Sequence, residues 1–205
     1  MNVAILNYGM GNLTSAAMAL EHVGATVEVT SDHDRVRAAH AVVLPGVGAF
    51  PKAMEAVRRL DLDELVRERV ESGVPVLGIC LGMQLLFESS SELGGAEGIG
   101  LVQGTVEPLD ASGLKVPQIG WNAVEWRPEK QLARGLGAST AMYHVHSYSV
   151  QPADREVIAG TASYGNEFVS AIEQDNLFGV QFHPEKSSRD GLQLLRNFVS
   201  VAVPA

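Results

Sequence analysis

The sequence predicts an α/β fold with a largely parallel central sheet and a strand-rich second half. Three observations carry that prediction. Short apolar runs alternate with helical patterns through the first half, the order that builds a parallel sheet with helices on both faces. Extended patterns dominate from Leu101 onward. Between the two, Pro75-Val76-Leu77-Gly78-Ile79-Cys80-Leu81-Gly82-Met83-Gln84 reads as strand, sharp turn and helix in one stretch.

The elements follow in order. Residues 2–7 form a short buried strand. A helix runs from about Asn12 to Val23, with Leu13, Ala16, Ala17, Leu20 and Val23 on one face and Gly24 as its stop. Thr26–Thr30 alternates as a second strand, and Ala41–Leu44 is a third that ends at Pro45. Pro51 suits the first position of a helix carrying Met54, Val57 and Leu60. Leu62–Val70 continues helically to Gly73, and Val74–Ile79 is the strand that feeds Cys80. A helical pattern over Leu81, Leu85, Phe87 and Glu88 follows, and Ser89–Gly100 reads as a loop near the nucleophile. In the second half the strands are Leu101–Val106, Asn122–Trp126, Tyr143–Val150, Val157–Ala162, Phe168–Glu173 and Leu177–Phe182. Asp175-Asn176 joins the last two as a tight hairpin. A final amphipathic helix carries Leu192, Leu195, Phe198 and Val199.

Composition bounds the function. A chain of 205 residues suits one domain with a core that needs no staples. Its single cysteine excludes an internal disulfide and gives no sign of an oxidising compartment. No Lys or Arg precedes Arg35, so a signal peptide is not expected, and no apolar run approaches the ~18 residues of a membrane span. These features lead us to expect a cytoplasmic protein. The net charge of −9, without clustered Lys or Arg, makes nucleic acid and anionic membranes poor partners.

The chemistry is concentrated in two segments. Cys80 sits at a strand-to-helix turn with glycine at each second neighbour, the arrangement of a nucleophile elbow with Cys in place of Ser. The glycines are expected to permit a tight turn, often with positive φ, and close approach of a substrate. A helix N-terminus favours the thiolate, and its free N–H groups suit an oxyanion. Near the other end, Phe182-His183-Pro184-Glu185 closes an apolar strand. Proline biases the preceding residue toward extended backbone, so His183 and Glu185, two apart, are expected to point the same way. Glu185 then fixes the tautomer of His183, and His183 serves Cys80 as base. A lone cysteine is more often an inert buried thiol, and a lone His or Glu is more often structural or solvated. Their joint occurrence at strand ends favours catalysis.

These two segments resemble the signatures of the class I, triad-type glutamine amidotransferases. Asn7-Tyr8-Gly9-Met10-Gly11-Asn12-Leu13, Leu44-Pro45-Gly46-Val47-Gly48-Ala49-Phe50, Gly120-Trp121-Asn122 and His146-Ser147-Tyr148 narrow the resemblance to the branch of that class that serves histidine biosynthesis. It spans nearly the whole chain. It implies a flavodoxin-like three-layer core and hydrolysis of glutamine to glutamate through a Cys80 thioester, with no cofactor. It also implies a heterodimer with a (β/α)8-barrel cyclase subunit, which uses the ammonia to make imidazole glycerol phosphate and an aminoimidazole carboxamide ribonucleotide. Carried over residue by residue, it assigns catalysis to Cys80, His183 and Glu185 and the oxyanion hole to the Val47 and Leu81 amides. It assigns glutamine contacts to Gly48, Gln84, Glu92, Ser147 and Tyr148, and the partner interface to Asn12, Trp121, Tyr143 and Lys186.

Rival readings are weaker. Gly9-Met10-Gly11 with Glu28 tempts a dinucleotide reading, but Thr14 stands where the third glycine belongs. His144 and His146 are two apart with no third ligand evident, so no metal site is expected. Glutaminase subunits of anthranilate or aminodeoxychorismate synthases usually carry His where this chain has Met83. A non-catalytic scaffold would not require an intact triad.

Overall fold

The computed structural model describes residues 1–201. The strands are β1 (Asn2–Leu6), β2 (Thr26–Thr30), β3 (Ala41–Gly46), β4 (Val76–Cys80), β5 (Phe87–Ser90), β6 (Ala96–Glu97), β7 (Val102–Pro108), β8 (Gln118–Trp126), β9 (Ser139–His146), β10 (Tyr148–Pro152), β11 (Ile158–Tyr164), β12 (Asn166–Gln174) and β13 (Leu177–Val180). The helices are α1 (Leu13–His22), α2 (His33–Ala38), α3 (Phe50–Arg59), α4 (Leu62–Glu71), α5 (Leu81–Leu85) and α6 (Ser188–Val201).

A nine-stranded sheet in the order β2-β1-β3-β4-β13-β12-β11-β8-β9 forms the centre. It is parallel from β2 to β13, where helices supply the crossovers, and antiparallel beyond. The change follows connection length: Asp175-Asn176 and Gly165 are too short for a crossover, and such links give hairpins. In β1, β3 and β4, successive residues enter opposite cores, with Leu6, Leu44 and Val76 on one side and Ile5, Val43 and Leu77 on the other. Both faces are covered, which is why these strands read as unbroken apolar runs. One core takes Phe50, Met54, Val57, Leu62 and Leu65 from α3 and α4; the other takes Ala16 and Leu20 from α1 and Leu194, Leu195 and Phe198 from α6. Among the described residues no helix is long and apolar enough to cross a membrane.

Several expectations need correction. The helix after Cys80 is only one turn and a half, and Phe87 already begins a strand. The expected Ser89–Gly100 loop instead contributes β6 and part of β5 to a second, four-stranded sheet, ordered β10-β7-β5-β6. The expected strand Tyr143–Val150 divides at Ser147, with β9 in the large sheet and β10 in the small one. Helix α2, capped by the Asp32 side chain on Arg35 N, has no apolar stripe and buries only Val36, so periodicity does not reveal it.

The elbow glycines also act differently from expectation. Positive φ falls on Cys80 itself (φ 54°), and neither Gly78 nor Gly82 adopts it. What those glycines supply is room. A Cβ on Gly82 would lie 1.8 Å from Leu44 O, and one on Gly78 would lie 2.7 Å from Met83 N. The helix start therefore rests directly on the main chain of β3. We predict that Gly82→Ala, which forces backbone apart, costs about 3 kcal/mol of folding free energy. Gly24→Ala has φ +97° but nothing within 4 Å of its Cβ, and it should cost only about 1–2 kcal/mol for the left-handed backbone. Urea unfolding of both variants measures the difference, and equal costs would remove the steric explanation.

Candidate active site

Strand register assembles the site. Val76↔Leu177 to Ile79↔Val180 pair in parallel, so Gln181 continues opposite Cys80 and His183 lies just beyond it. Two hydrogen bonds tie the His183 segment to β9, His183 N donating to Tyr143 O at 2.9 Å and Tyr143 N donating to Ser187 Oγ at 3.0 Å, and within the segment Ser187 Oγ donates to His183 O at 2.7 Å. Cys80 sits at φ 54°, ψ −114° as the cap of α5, a sparsely populated conformation that the packing of Gly82 on β3 enforces.

His183 Nδ1 meets Glu185 Oε1 at 2.9 Å, with both side chains almost fully buried. The contact is as expected, but the backbone is not extended through it. Pro184–Lys186 form a 3₁₀ turn, closed by Lys186 N to His183 O and Ser187 N to Pro184 O, both at 3.0 Å. Proline opens this turn because it lacks the N–H that a first turn leaves unused. Burial opposes charge on His183, yet hydrogen bonds to Cys80 and Glu185 and their negative charge outweigh it, raising its pKa to about 9. With Nδ1 committed to Glu185, Nε2 is the nitrogen that faces Cys80.

A cavity of about 270 Å³ opens beside the sulfur. Val47, Gly48, Leu81, Gln84, Glu92, Ser147, Tyr148 and Lys186 line it together with Cys80 and His183. The structure thus brings together both expected oxyanion residues and all five expected substrate contacts. Lys186, an exposed residue, also reaches this cavity. Asn12 lies apart, at a small recess behind Glu185, where its side chain caps α1 on Ser15 N. Trp121 and Tyr143 pair edge-on across β8 and β9 with centroids 6.0 Å apart, Trp121 being 53 % exposed, and neither lines the cavity.

The details modify several roles. Glu92 Oε2 accepts from Phe50 N at 2.8 Å, so this carboxylate also fastens the start of α3. Tyr8 OH donates to Pro45 O at 2.5 Å. Burial, then the charge at Cys80, pushes this phenol well above its ordinary range. The segment carrying Val47 and Gly48 is therefore held at both ends and exposed between them. Glu28, considered for a ribose, pairs instead with Arg35. Among the described residues no group of three or more His, Cys, Asp or Glu is placed to hold a metal.

Two residues stand at the site that the sequence did not assign to it. His146 lines the cavity, and Gln181 contacts the sulfur. Gln181 reaches the sulfur through the register of β13 against β4, which the sequence does not display. His146 and His144 are linked to main chain: Nδ1 of His146 donates to Tyr148 O at 2.8 Å, and Nδ1 of His144 donates to Met142 O at 3.0 Å. Burial lowers the pKa of His144 to about 3, with the charge of His146 adding to it, and that of His146 to about 4.

Comparison with known proteins agrees with this geometry. The chain matches the family model for glutamine amidotransferase class-I over residues 4–202. It is 52 % identical over 196 residues to the imidazole glycerol phosphate synthase subunit HisH of Moorella thermoacetica, covering 96 % of this chain and 93 % of that one. The protein of the same name from Aquifex aeolicus is 47 % identical over 199 residues, covering 97 % and 96 %. In fold, the chain resembles a crystal structure of a glutamine amidotransferase with TM-score 0.77, 19 % identity and 98 % of each chain covered. It likewise resembles PurLQS from Thermotoga maritima with TM-score 0.76, 17 % identity and 98 % of each chain covered.

The histidines predict a pH optimum for stability. For His144 and His146 the unfolded chain, at 6.5, binds protons better than the folded one, so stability falls as pH drops from 6.5 toward 4. For His183 the folded chain keeps its proton up to about 9, so its contribution is complete below 6.5 and is lost as pH rises through 9. We expect His144→Gln to flatten the acid limb by roughly 1 kcal/mol per pH unit. Urea unfolding across pH 4–9 measures it, and parallel acid limbs for the two proteins would contradict the assignment.

Proposed function

Because this chain belongs to the class I glutamine amidotransferase family, we propose that it is the glutaminase subunit of an imidazole glycerol phosphate synthase. Residues 1–205 act as one domain in the cytoplasm. The observation that carries the reading is the Cys80–His183–Glu185 array at the wall of a cavity sized for an amino acid. Relatives near 50 % identity bearing that enzyme's name support it.

The chemistry follows from the residues. Cys80 Sγ attacks the side-chain amide carbon of glutamine as a thiolate, its proton having passed to His183 Nε2. The Val47 and Leu81 amides hold the oxyanion. His183 returns the proton to the departing nitrogen, the C–N bond breaks, and ammonia leaves a γ-glutamyl thioester. Water, deprotonated by His183, cleaves the thioester to glutamate and regenerates the thiol. Glu185 holds the ring in one tautomer and stabilises its charge throughout. Gly48, Ser147, Tyr148 and Glu92 contact the amino-acid end of glutamine. Glu92 keeps Oε1 for the substrate ammonium, because Oε2 holds Phe50 N. Gln84 shapes the wall, since its amide nitrogen is bound to Tyr148 O and Gln181 Oε1.

Ammonia passes to a (β/α)8-barrel cyclase subunit in a heterodimer. The docking face includes Asn12, Tyr143, Lys186 and Trp121. It extends along β8 to Ile119, which is 62 % exposed and shares a face with Trp121.

In the assembled complex, Cys80→Ala should lower glutamine-dependent synthesis by about four orders of magnitude or more, while synthesis from ammonium salts persists. Loss of both activities in an intact complex would make Cys80 structural. Glu185→Gln should retain about ten- to a hundredfold more activity than His183→Ala, because the base carries every proton transfer and the carboxylate only orients it. Steady-state turnover of the two variants decides this.

The exposed Val47–Gly48 stretch permits a state in which the Val47 N–H turns away from the oxyanion. We expect the free subunit to turn over glutamine about two to three orders of magnitude more slowly than the complex with the cyclase's nucleotide bound. Equal turnover in the free and assembled states would exclude such a switch.

A further inference from the structure

We infer that Gln181 is a catalytic residue of this site, whose side-chain amide donates to the Cys80 sulfur and stabilises the attacking thiolate. The inference rests on the glutaminase reading and adds a residue to its machinery. Gln181 is wholly buried, at 0 % exposure. Its Oε1 accepts from Gln84 Nε2 at 2.9 Å, and its Nε2 lies 3.7 Å from Cys80 Sγ.

The main chain fixes the direction of these bonds. Gln84 Nε2 also lies 3.2 Å from Tyr148 O. A carbonyl oxygen only accepts, so the Gln84 amide must present its nitrogen there. His146 Nδ1 donates to the same oxygen. The second N–H of Gln84 then meets Gln181, which must answer with its oxygen. That leaves the Gln181 NH₂ facing sulfur. Reversing the Gln181 amide would set NH₂ against NH₂ in a buried place, where an unmade hydrogen bond is costly.

The sulfur has neighbours for both of its states. Val145 O, 3.7 Å away, accepts from the thiol S–H. When the proton moves from Sγ to His183 Nε2, only the S–H bond breaks, and sulfur becomes an acceptor alone. Gln181 and protonated His183 then both donate to it. Unlike His183, Gln181 moves no proton; it acts whenever the sulfur carries charge, before attack and again as the thioester is cleaved.

Gln181→Met keeps length and volume and removes the donor. Iodoacetamide labels Cys80 in the isolated chain without glutamine or a partner, so this readout is independent of the glutaminase reading. We expect the alkylation rate constant at pH 7 to fall about tenfold. In the complex, kcat for glutamine should fall by a similar factor while KM stays within about twofold, since the donor acts on charge at sulfur rather than on binding. Gln84→Met, which frees the Gln181 amide to rotate, should slow alkylation too, and the double variant should be no slower than Gln181→Met alone. Unchanged alkylation in Gln181→Met, or effects that multiply in the double variant, overturn the inference. Should Gln181→Met not fold, Gln181→Glu keeps the shape and turns a carboxylate to the sulfur; alkylation at the unmodified rate in that variant also overturns it. Slowed alkylation in a protein that releases no ammonia from glutamine, even in the complex, would leave the donor assignment standing and remove the glutaminase reading.

Discussion

The structure depends on one strained residue. Cys80 holds φ 54° and ψ −114° at the junction of β4 and α5. Such backbone costs about 1–3 kcal/mol and persists only where its surroundings dictate it. Here the surroundings are close-packed main chain. Gly82 rests on Leu44 O and Gly78 on Met83, with no room for a methyl group at either. Both strands carrying these contacts are buried on both faces. Two cores therefore hold one torsion, and that torsion aims the sulfur out of the sheet toward the cavity.

The same junction sorts the histidines by charge. His183, His144 and His146 are all buried and lie near one another. Burial alone disfavours the imidazolium in each. Only His183 has a carboxylate on one side and the nucleophile on the other, and only it is raised, to about 9. His144 and His146 face a carbonyl through Nδ1 and a neutral Ser170 or Gln118 through the other nitrogen. These neutral rings are fixed hydrogen-bonding groups, and they add no second positive charge to compete for the thiolate. Their placement explains why an i, i+2 histidine pair beside an active site need not bind metal.

The parts of the site that depend on local chemistry were legible in the sequence. The elbow, the pairing of His183 with Glu185 and the alternating first half each follow from neighbouring residues. What escaped depends on contacts across the chain. Asp32–Ala38 gives no apolar stripe because only Val36 turns inward. The Ser89–Gly100 segment looks like a loop because β5 and β6 are short and lie in a sheet whose other members, β7 and β10, come later. Glu92 is placed near the substrate by resemblance alone, and its second task, holding Phe50 N at the start of α3, depends on a contact across the chain. The triad contact was foreseen but for the wrong backbone, because a proline after histidine suits both an extended chain and the first turn of a 3₁₀ helix. Gln181 was invisible for a further reason: in an apolar strand it resembles an edge polar residue, and only pairing with β4 sets it against sulfur.

The division of Tyr143–Val150 at Ser147 ties these observations together. A strand that leaves one sheet for another interrupts both ladders, and its main-chain groups at the crossing must find other partners. Ser147 O accepts from Leu109 N at 2.9 Å. Tyr148 O, at the first residue of β10, receives both Gln84 and His146. A main-chain oxygen held by its sheet cannot rotate, unlike a carboxamide. It is therefore the fixed point from which the orientation of Gln84, and through it of Gln181, is determined. The wall of the cavity and the environment of the nucleophile thus share one anchor. A displacement of the Ser147–Tyr148 segment would alter the pocket and the hydrogen bond to sulfur together, whereas a displacement of Val47–Gly48, between the Tyr8 and Glu92 contacts, would alter the pocket without touching the Gln84–Gln181 chain.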